Sequence, residues 1–113
     1  MELTEGYSKV HLKTRKEMIV DEKGLIHGGF IFSLADFAAM VAVNHPYVVL
    51  SSSSITFINP ARLGDLLIAE ATLTEEKGKK IKVEVRVKRN KELISTGIFN
   101  CYIPKQHVLE GKI

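Results

Sequence analysis

The chain carries one cysteine, Cys101. That excludes an intrachain disulfide and a cysteine metal cluster, and makes a reducing cytoplasm the expected compartment. The four histidines, His11, His27, His45 and His107, lack the spacing of metal ligands, so no metal is expected. A Gly-x-Ser-x-Gly elbow is missing, which leaves a serine hydrolase unsupported. Basic residues form neither an arginine-rich tail nor an aromatic-interleaved run, so nucleic acid is not an expected partner. Long apolar runs are missing too. The longest, Phe30 to Val43, spans about 14 residues and includes Asp36. A membrane helix needs roughly 20. The opening "MELTEGYSKV" has no basic segment followed by an apolar one, so no signal peptide is expected. No repeat, linker or low-complexity tract divides the chain.

What is present is ordinary globular material. A chain of 113 residues with 45% hydrophobic and 26% charged residues is expected to form one domain, residues 1–113, with a real core. The net charge of +3 suits solubility or attraction for anionic metabolites. "YSKVHLKTR" alternates around Val10 and Leu12 and predicts an opening strand. Polar "DEKG" then leads into an apolar helix, which His45-Pro46 cannot continue. Four strand-like segments follow: "YVVLSSSSITFI", "LLIAEATLTE", "KKIKVEVRVKR" and "ELISTGIFNCYI". In the third, Ile81, Val83, Val85 and Val87 point one way and Lys82, Glu84, Arg86 and Lys88 the other. The connections "NPARLGD", "EKGKK" and "RNKE" carry turn residues. This one-sided alternation predicts an antiparallel sheet with a wet face and a face packed on the helix, an α+β architecture.

The helix raises two problems. It is apolar nearly all round, yet one sheet covers one side. The remaining side, drawn from Phe30, Ile31, Leu34, Phe37, Ala38 and Val41, needs cover, and a second copy is the simplest source, so a homodimer is expected. The second problem is Asp36. No Lys or Arg lies between Lys23 and Arg62, so no cation sits one turn away. Burial would raise its pKa, as suits a general base or a carboxylate nucleophile. The helix entry, His27-Gly28-Gly29, sets two residues without β-carbons where N–H groups are unpaired and the dipole is positive. An oxygen developing negative charge could approach the Gly28 or Gly29 N–H there. Alone, such a tripeptide is more often a packed junction with a structural histidine. Gly28 and Asp36, eight residues apart, lie roughly 12 Å apart along a helix. Oxyanion donor and attacking group must both reach one centre. One helix cannot achieve that; two antiparallel copies can.

Together, "HGGFIFSLADFAAMVAVN" and the later "INPARLGD" resemble the hotdog-fold acyl-CoA thioesterases of the phenylacetate-pathway (PaaI-like) branch. The features that carry the resemblance are the His-Gly-Gly, the carboxylate nine residues after that histidine, and the Pro-Ala-x-x-Gly-Asp loop. The resemblance implies a sheet wrapped around a central helix, paired into a dimer and often into a dimer of dimers. It implies hydrolysis of a thioester to a free acid and coenzyme A, which is part of the substrate and not a separate cofactor. On that pattern Gly28 supplies the oxyanion N–H, with Gly29 beside it. Asp36 of the partner subunit acts as general base or nucleophile, and His27 fixes the helix start. The pantetheine arm runs between subunits, and surface basic residues take the phosphates, with Arg62 the candidate here or else a solvated loop charge.

Two positions depart from the pattern. Six residues before His27 the family usually carries Asn or Gln; here stands Asp21. Either Asp21 is protonated and shares a proton with Asp36 across the interface, or it faces solvent, and the turn-like "VDEKG" favours solvent. Some relatives also place a helping hydroxyl on the strand after the helix, where this chain has Leu50. Ser52 and Ser54, expected on the same strand face, stand as substitutes, or else the four serines are strand filler. The alternative function is a non-catalytic acyl-CoA-binding sensor. A dehydratase or hydratase needs a His and an acid on a different spacing.

Overall fold

The alternating segment after Gly78 forms β5, Lys80–Arg89, with Ile81, Val83, Val85 and Val87 buried. In this computed structural model, which describes residues 1–107 and 109–110, β5 lies inside a six-stranded antiparallel sheet. The other strands are β1 Glu2–Thr4, β2 Tyr7–Lys13, β3 Val49–Phe57, β4 Leu66–Lys77 and β6 Glu92–Tyr102. Their order across the sheet is β1-β2-β4-β5-β6-β3. A single 3₁₀ turn, Lys16–Met18, precedes helix α1, Gly28–Val43, which packs mainly on β2, β4 and β5. The α+β architecture is the expected one. Five strands were expected and six form; β1 pairs with β2 across Gly6, and three residues are too few to show a period.

Small side chains set the helix close to the sheet. Ala35, Ala38, Ala39 and Ala42 of α1 are buried, as are Ala69 and Ala71 of β4. With only methyl groups between them the two backbones approach closely, and the Ser8 hydroxyl donates to the Ala38 carbonyl at 2.6 Å. Phe99, Leu67 and Ile94 complete the core. Of the six helix residues from which the face needing outside cover was drawn, Ile31, Leu34 and Ala38 are buried within the chain. A 3.6-residue period divides a uniformly apolar helix into faces that hydrophobicity alone does not distinguish. Phe30 and Phe37 remain 38% and 47% exposed, and Val41 is half-buried.

The sheet has two unequal edges. β1 is short, whereas β3 offers nine residues along an open edge, with most of its side chains exposed. β3 is also irregular: its register with β6 shifts between Leu50 and Ser52, leaving Ser51 as a bulge whose hydroxyl donates to the Asn100 carbonyl at 2.9 Å. Leu50 pairs with Cys101 and Ser53 with Phe99, both buried on the helix side, while Ser52 pairs with Asn100 and Ser54 with Ile98 on the outer side.

Candidate active site

The helix begins where it does because His27 caps it. Its backbone is extended, and its Nδ1 accepts from the Gly29 N–H at 2.8 Å. The cap explains Gly29: a β-carbon there would fall 2.9 Å from Nδ1, inside the imidazole's contact radius. Gly28 has no such explanation, since an added β-carbon would meet only the Phe57 ring, at ordinary distances of 3.6 and 3.7 Å. Among the described residues the Gly28 N–H donates to no acceptor, as expected of a first helical residue. Gly28 lines a cleft of about 310 Å³ whose other walls include Ile26, Ile31, Phe57, Ile58 and Pro60.

This entry is pinned from outside by the Pro-Ala-x-x-Gly-Asp loop. The Ile26 N–H donates to Ala61, the Leu63 N–H to Gly24, and the His27 N–H to Met18 of the 3₁₀ turn. The loop is closed on itself by Asp65, whose Oδ2 accepts from the Arg62 N–H at 2.8 Å and from Arg89 Nη1 at 2.6 Å. Burial alone would raise the Asp65 carboxyl; the Arg62 N–H and the Arg89 guanidinium outweigh it and hold the group below its ordinary value. Gly64 turns the loop at φ +94, and an added β-carbon would meet no non-neighbouring atom within 4 Å among the described residues, so backbone conformation and not packing requires glycine there. The Thr14 hydroxyl adds a bond to the Arg62 carbonyl at 2.8 Å. The loop is legible in the sequence as a motif; the residues that brace it are not. Arg89 follows a register shift between Val87 and Lys88, which no residue pattern announces.

Asp36 lies in the middle of α1, half-buried, with Oδ1 fully buried and unpaired. No cation pairs with it among the described residues. Burial pushes its carboxyl above the ordinary value. Its neighbour on the sheet is Cys101, whose thiol is raised to about 11 by burial and then by the Asp36 charge. At neutral pH this cysteine is a protonated, inert part of the core. The pair lies on the helix side of β6, next to the open inner face of β3.

The remaining predicted residues fall elsewhere. Asp21 is exposed, and its Oδ1 accepts from the Lys23 and Leu25 N–H groups, both at 3.0 Å. The carboxylate thus serves its own turn, and of the two readings for Asp21 the geometry is that of the solvent-facing one. Arg62 is exposed, its main chain engaged by the loop, and its side chain borders a cleft of about 360 Å³ together with Asp21 and Lys23. Ser52 and Ser54 do not share a face with Leu50: the bulge at Ser51 breaks the two-residue period and turns both outward, where Ser52 Oγ accepts from Asn100 Nδ2 at 3.0 Å. The exposed serine on the helix side is Ser53. Among the described residues no group of three His, Cys, Asp or Glu side chains converges as metal ligands would.

A superfamily pattern described as "Thioesterase superfamily" matches residues 23–95, which include the capped glycines, Asp36 and the bracing loop. The chain belongs to the thioesterase superfamily. Among similar proteins, the methylthioribose-1-phosphate isomerase of Aquifex aeolicus is 48% identical over 99 residues, 88% of this chain but 22% of that protein. A protein of Archaeoglobus fulgidus named "Putative esterase" is 42% identical over 73 residues, covering 63% of this chain and 47% of the relative. The transcription factor FapR of Shouchella clausii is 28% identical over 86 residues, 76% of this chain and 45% of that one. This superfamily member therefore spans between about a fifth and a half of these relatives. Among solved structures, the uncharacterized protein PH1136 of Pyrococcus horikoshii is 52% identical with a TM-score of 0.94, covering 96% of this chain and 83% of that one. The PaaI protein of E. coli, from the phenylacetic acid degradation operon, has a TM-score of 0.84 at 24% identity over 91% of this chain and 76% of that one. That likeness is one of fold. The six-stranded sheet over one helix is thus a hotdog-type fold.

Proposed function

We propose that the chain is an acyl-CoA thioesterase whose site forms between two protomers of a homodimer. The observation that carries this reading is the unpaired, half-buried carboxylate of Asp36 on a helix whose first residue has an unused N–H. Eight residues of helix hold the two about 12 Å apart, too far to act on one carbonyl within a protomer. Two helices packed antiparallel bring Gly28 of one protomer towards Asp36 of the partner subunit. The open edge of β3 supplies the means, since antiparallel addition of a second β3 satisfies its backbone and covers its inner side chains.

In this arrangement the thioester carbonyl accepts from the Gly28 N–H at the positive end of α1. The negative charge of the tetrahedral intermediate forms where the donor already points. Asp36 of the partner subunit either takes a proton from the attacking water or attacks the carbonyl itself, giving an anhydride that water then opens. Both routes end in free acid and coenzyme A. Desolvation makes the carboxylate a stronger base than one in water. His27 and Gly29 act through position, by fixing the first turn.

The test is thiol release from short-chain, medium-chain and aryl acyl-CoAs, repeated with Asp36→Asn. Release that falls by about a hundredfold or more in the variant is expected. Undiminished turnover in Asp36→Asn removes the assigned catalyst. Tight acyl-CoA binding without release from any substrate replaces the enzyme with the second reading, a non-catalytic acyl-CoA sensor. The match to a protein named as a transcription factor over 76% of the chain favours that alternative.

A further inference from the structure

Gly28, Phe32 and Asp36 follow one another at intervals of four residues and so share one side of α1. That side runs along β6 towards β3. Gly28 lies against Phe57, whose ring an added β-carbon would meet at 3.6 Å, and Phe57 pairs with Ser95. The rings of Phe32 and Phe99 are centred 5.6 Å apart. Asp36 is near enough to Cys101 for its charge to reach the thiol, and Cys101 pairs with Leu50. The two halves of the site therefore lie at opposite ends of β3, Gly28 beside Phe57 and Asp36 beside Leu50.

Leu50 and Phe57 are seven residues apart, an odd interval that sets side chains on opposite faces of a regular strand. The bulge at Ser51 absorbs one residue. Their partners on β6, Cys101 and Ser95, are six apart and both buried on the helix side, so Leu50 and Phe57 both face that side. A second β3 added antiparallel and centred on Ser54 then matches every face. Leu50 meets the partner subunit's Phe57, Ser53 meets the partner's Ile55, Ser52 meets the partner's Thr56, and Ser54 meets its own copy. Centring on Ser53 instead sets Leu50 against the partner's Ile55 and leaves Phe57 beyond it. The bulge thus lets the Asp36 end of one protomer close on the Gly28 end of the other.

The surroundings of the reacting carbonyl are then apolar. The cleft of about 310 Å³ that opens at Gly28 continues from Phe57 along Ile31, Ile58 and Pro60. No cation lines it among the described residues, and its one polar side chain, Asn59, is occupied, with Nδ2 donating to the Leu93 carbonyl at 2.7 Å. A hydroxyl or carboxylate brought here loses its water and finds no partner. We propose that Phe57 and the partner subunit's Leu50 form a selectivity wall beside the thioester, which admits unsubstituted hydrocarbon acyl groups and rejects those carrying a hydroxyl or carboxylate. The inference rests on the acyl-CoA reading above and names the substrate class for it. The pantetheine arm, which carries amides, leaves by the other side of the carbonyl.

The register is tested without substrate. Ser54→Cys is expected to form a disulfide between protomers under mild oxidation, because opposed residues of antiparallel strands bring Cα atoms within about 4.5–5.5 Å. Ser53→Cys, set against the partner's Ile55, is expected to remain reduced. A crosslink in Ser53→Cys alone, or in neither variant, overturns the pairing. Selectivity is read from kcat/KM for hexanoyl-CoA against 3-hydroxyhexanoyl-CoA. The native protein is expected to favour the first by about tenfold or more, and Leu50→Gln and Phe57→Gln each to bring the ratio towards one. Phe57 is half-exposed in the protomer, so Phe57→Gln folds even where Leu50→Gln does not. A native ratio near one, or a ratio that neither variant moves, overturns the wall. In mixed dimers of a Gly28→Pro chain and an Asp36→Asn chain, Leu50→Gln is expected to act only from the Gly28→Pro chain, which supplies Asp36. Action only from the other chain overturns the assignment to the partner. If the native protein releases thiol from neither substrate, the thioesterase reading fails separately. Calorimetric titration with the same two acyl-CoAs then decides the selectivity, a tenfold preference supporting it and equal affinities overturning it.

Discussion

Single residues here do unequal work, and Asp36 does the most. Its pKa is raised by burial above the ordinary 3.8, so the folded chain holds a proton that the unfolded chain has released. Between the ordinary value and the raised one stability falls as pH rises, and the whole penalty is present above the raised value. Asp36→Asn is therefore expected to raise the melting temperature at pH 7 by a few degrees while abolishing turnover. The gain disappears below the unfolded pKa, at about pH 3, where the aspartate is neutral in both states. A variant that is inactive and less stable at pH 7 contradicts this account. His27 works oppositely, through geometry alone. His27→Ala is expected to cost about 1 kcal/mol by loss of the cap, and His27→Asn or His27→Ser to restore it; thermal unfolding of the three variants checks this. Ser95 is a quieter case, a fully buried hydroxyl with no partner among the described residues. Its replacement by alanine is expected to be neutral or to stabilise the fold, since no hydrogen bond is lost.

At the scale of elements, the helix and the bracing loop are legible to different degrees. The limits of α1 and the alternation of β5 follow from local chemistry. The His27 cap and the left-handed Asn44 at the far end of the helix are local too. The closeness of α1 to β4 is not: it depends on alanines from distant segments meeting face to face. Ala38→Leu is expected to destabilise by about 1–3 kcal/mol, because Ala38 is fully buried under the sheet. The loop that positions Gly28 hangs on Asp65, whose lowered pKa gives stability above the ordinary 3.8 that is lost as pH falls through the folded value. Arg89→Gln removes part of that. Its melting temperature is expected to fall by a few degrees at pH 7 and to converge with the native value in acid, as a pH series of thermal melts will show. Convergence at neutral pH contradicts the brace.

For the whole molecule, the proposed arrangement makes one protomer half a site. Complementation tests it without reference to any particular acyl group. Gly28→Pro removes the N–H at the first helical position, where proline is tolerated, and His27 already has the extended backbone that must precede a proline. Asp36→Asn removes the carboxylate proposed as base or nucleophile. Each homodimer is expected to be inactive, whereas a denatured and refolded mixture regains about a quarter of native turnover, since half the dimers are mixed and each has one intact site. No recovery from a mixture shown to contain mixed dimers contradicts a shared site. A monomer at assay concentration does the same.

The sequence by itself determined the local features of this protein. These are the alternating strands, the apolar helix with His27-Gly28-Gly29 at its entry and His45-Pro46 as its stop, the glycine-turned loop, and the isolation of Asp36 from any cation within a helical turn. Each depends on neighbours along the chain, where the periods of helix and strand hold. What only the tertiary structure decided depends on residues far apart. A single bulge at Ser51 moved Ser52 and Ser54 to the outer face and left Ser53 on the inner one. The Asp21 carboxylate turned to its own loop. Arg89 reached back to Asp65. The same bulge set Leu50 and Phe57 on one face of β3. The physical reason is common to all four. One inserted residue or one long-range contact resets which face a side chain occupies, and residue periodicity carries no record of it.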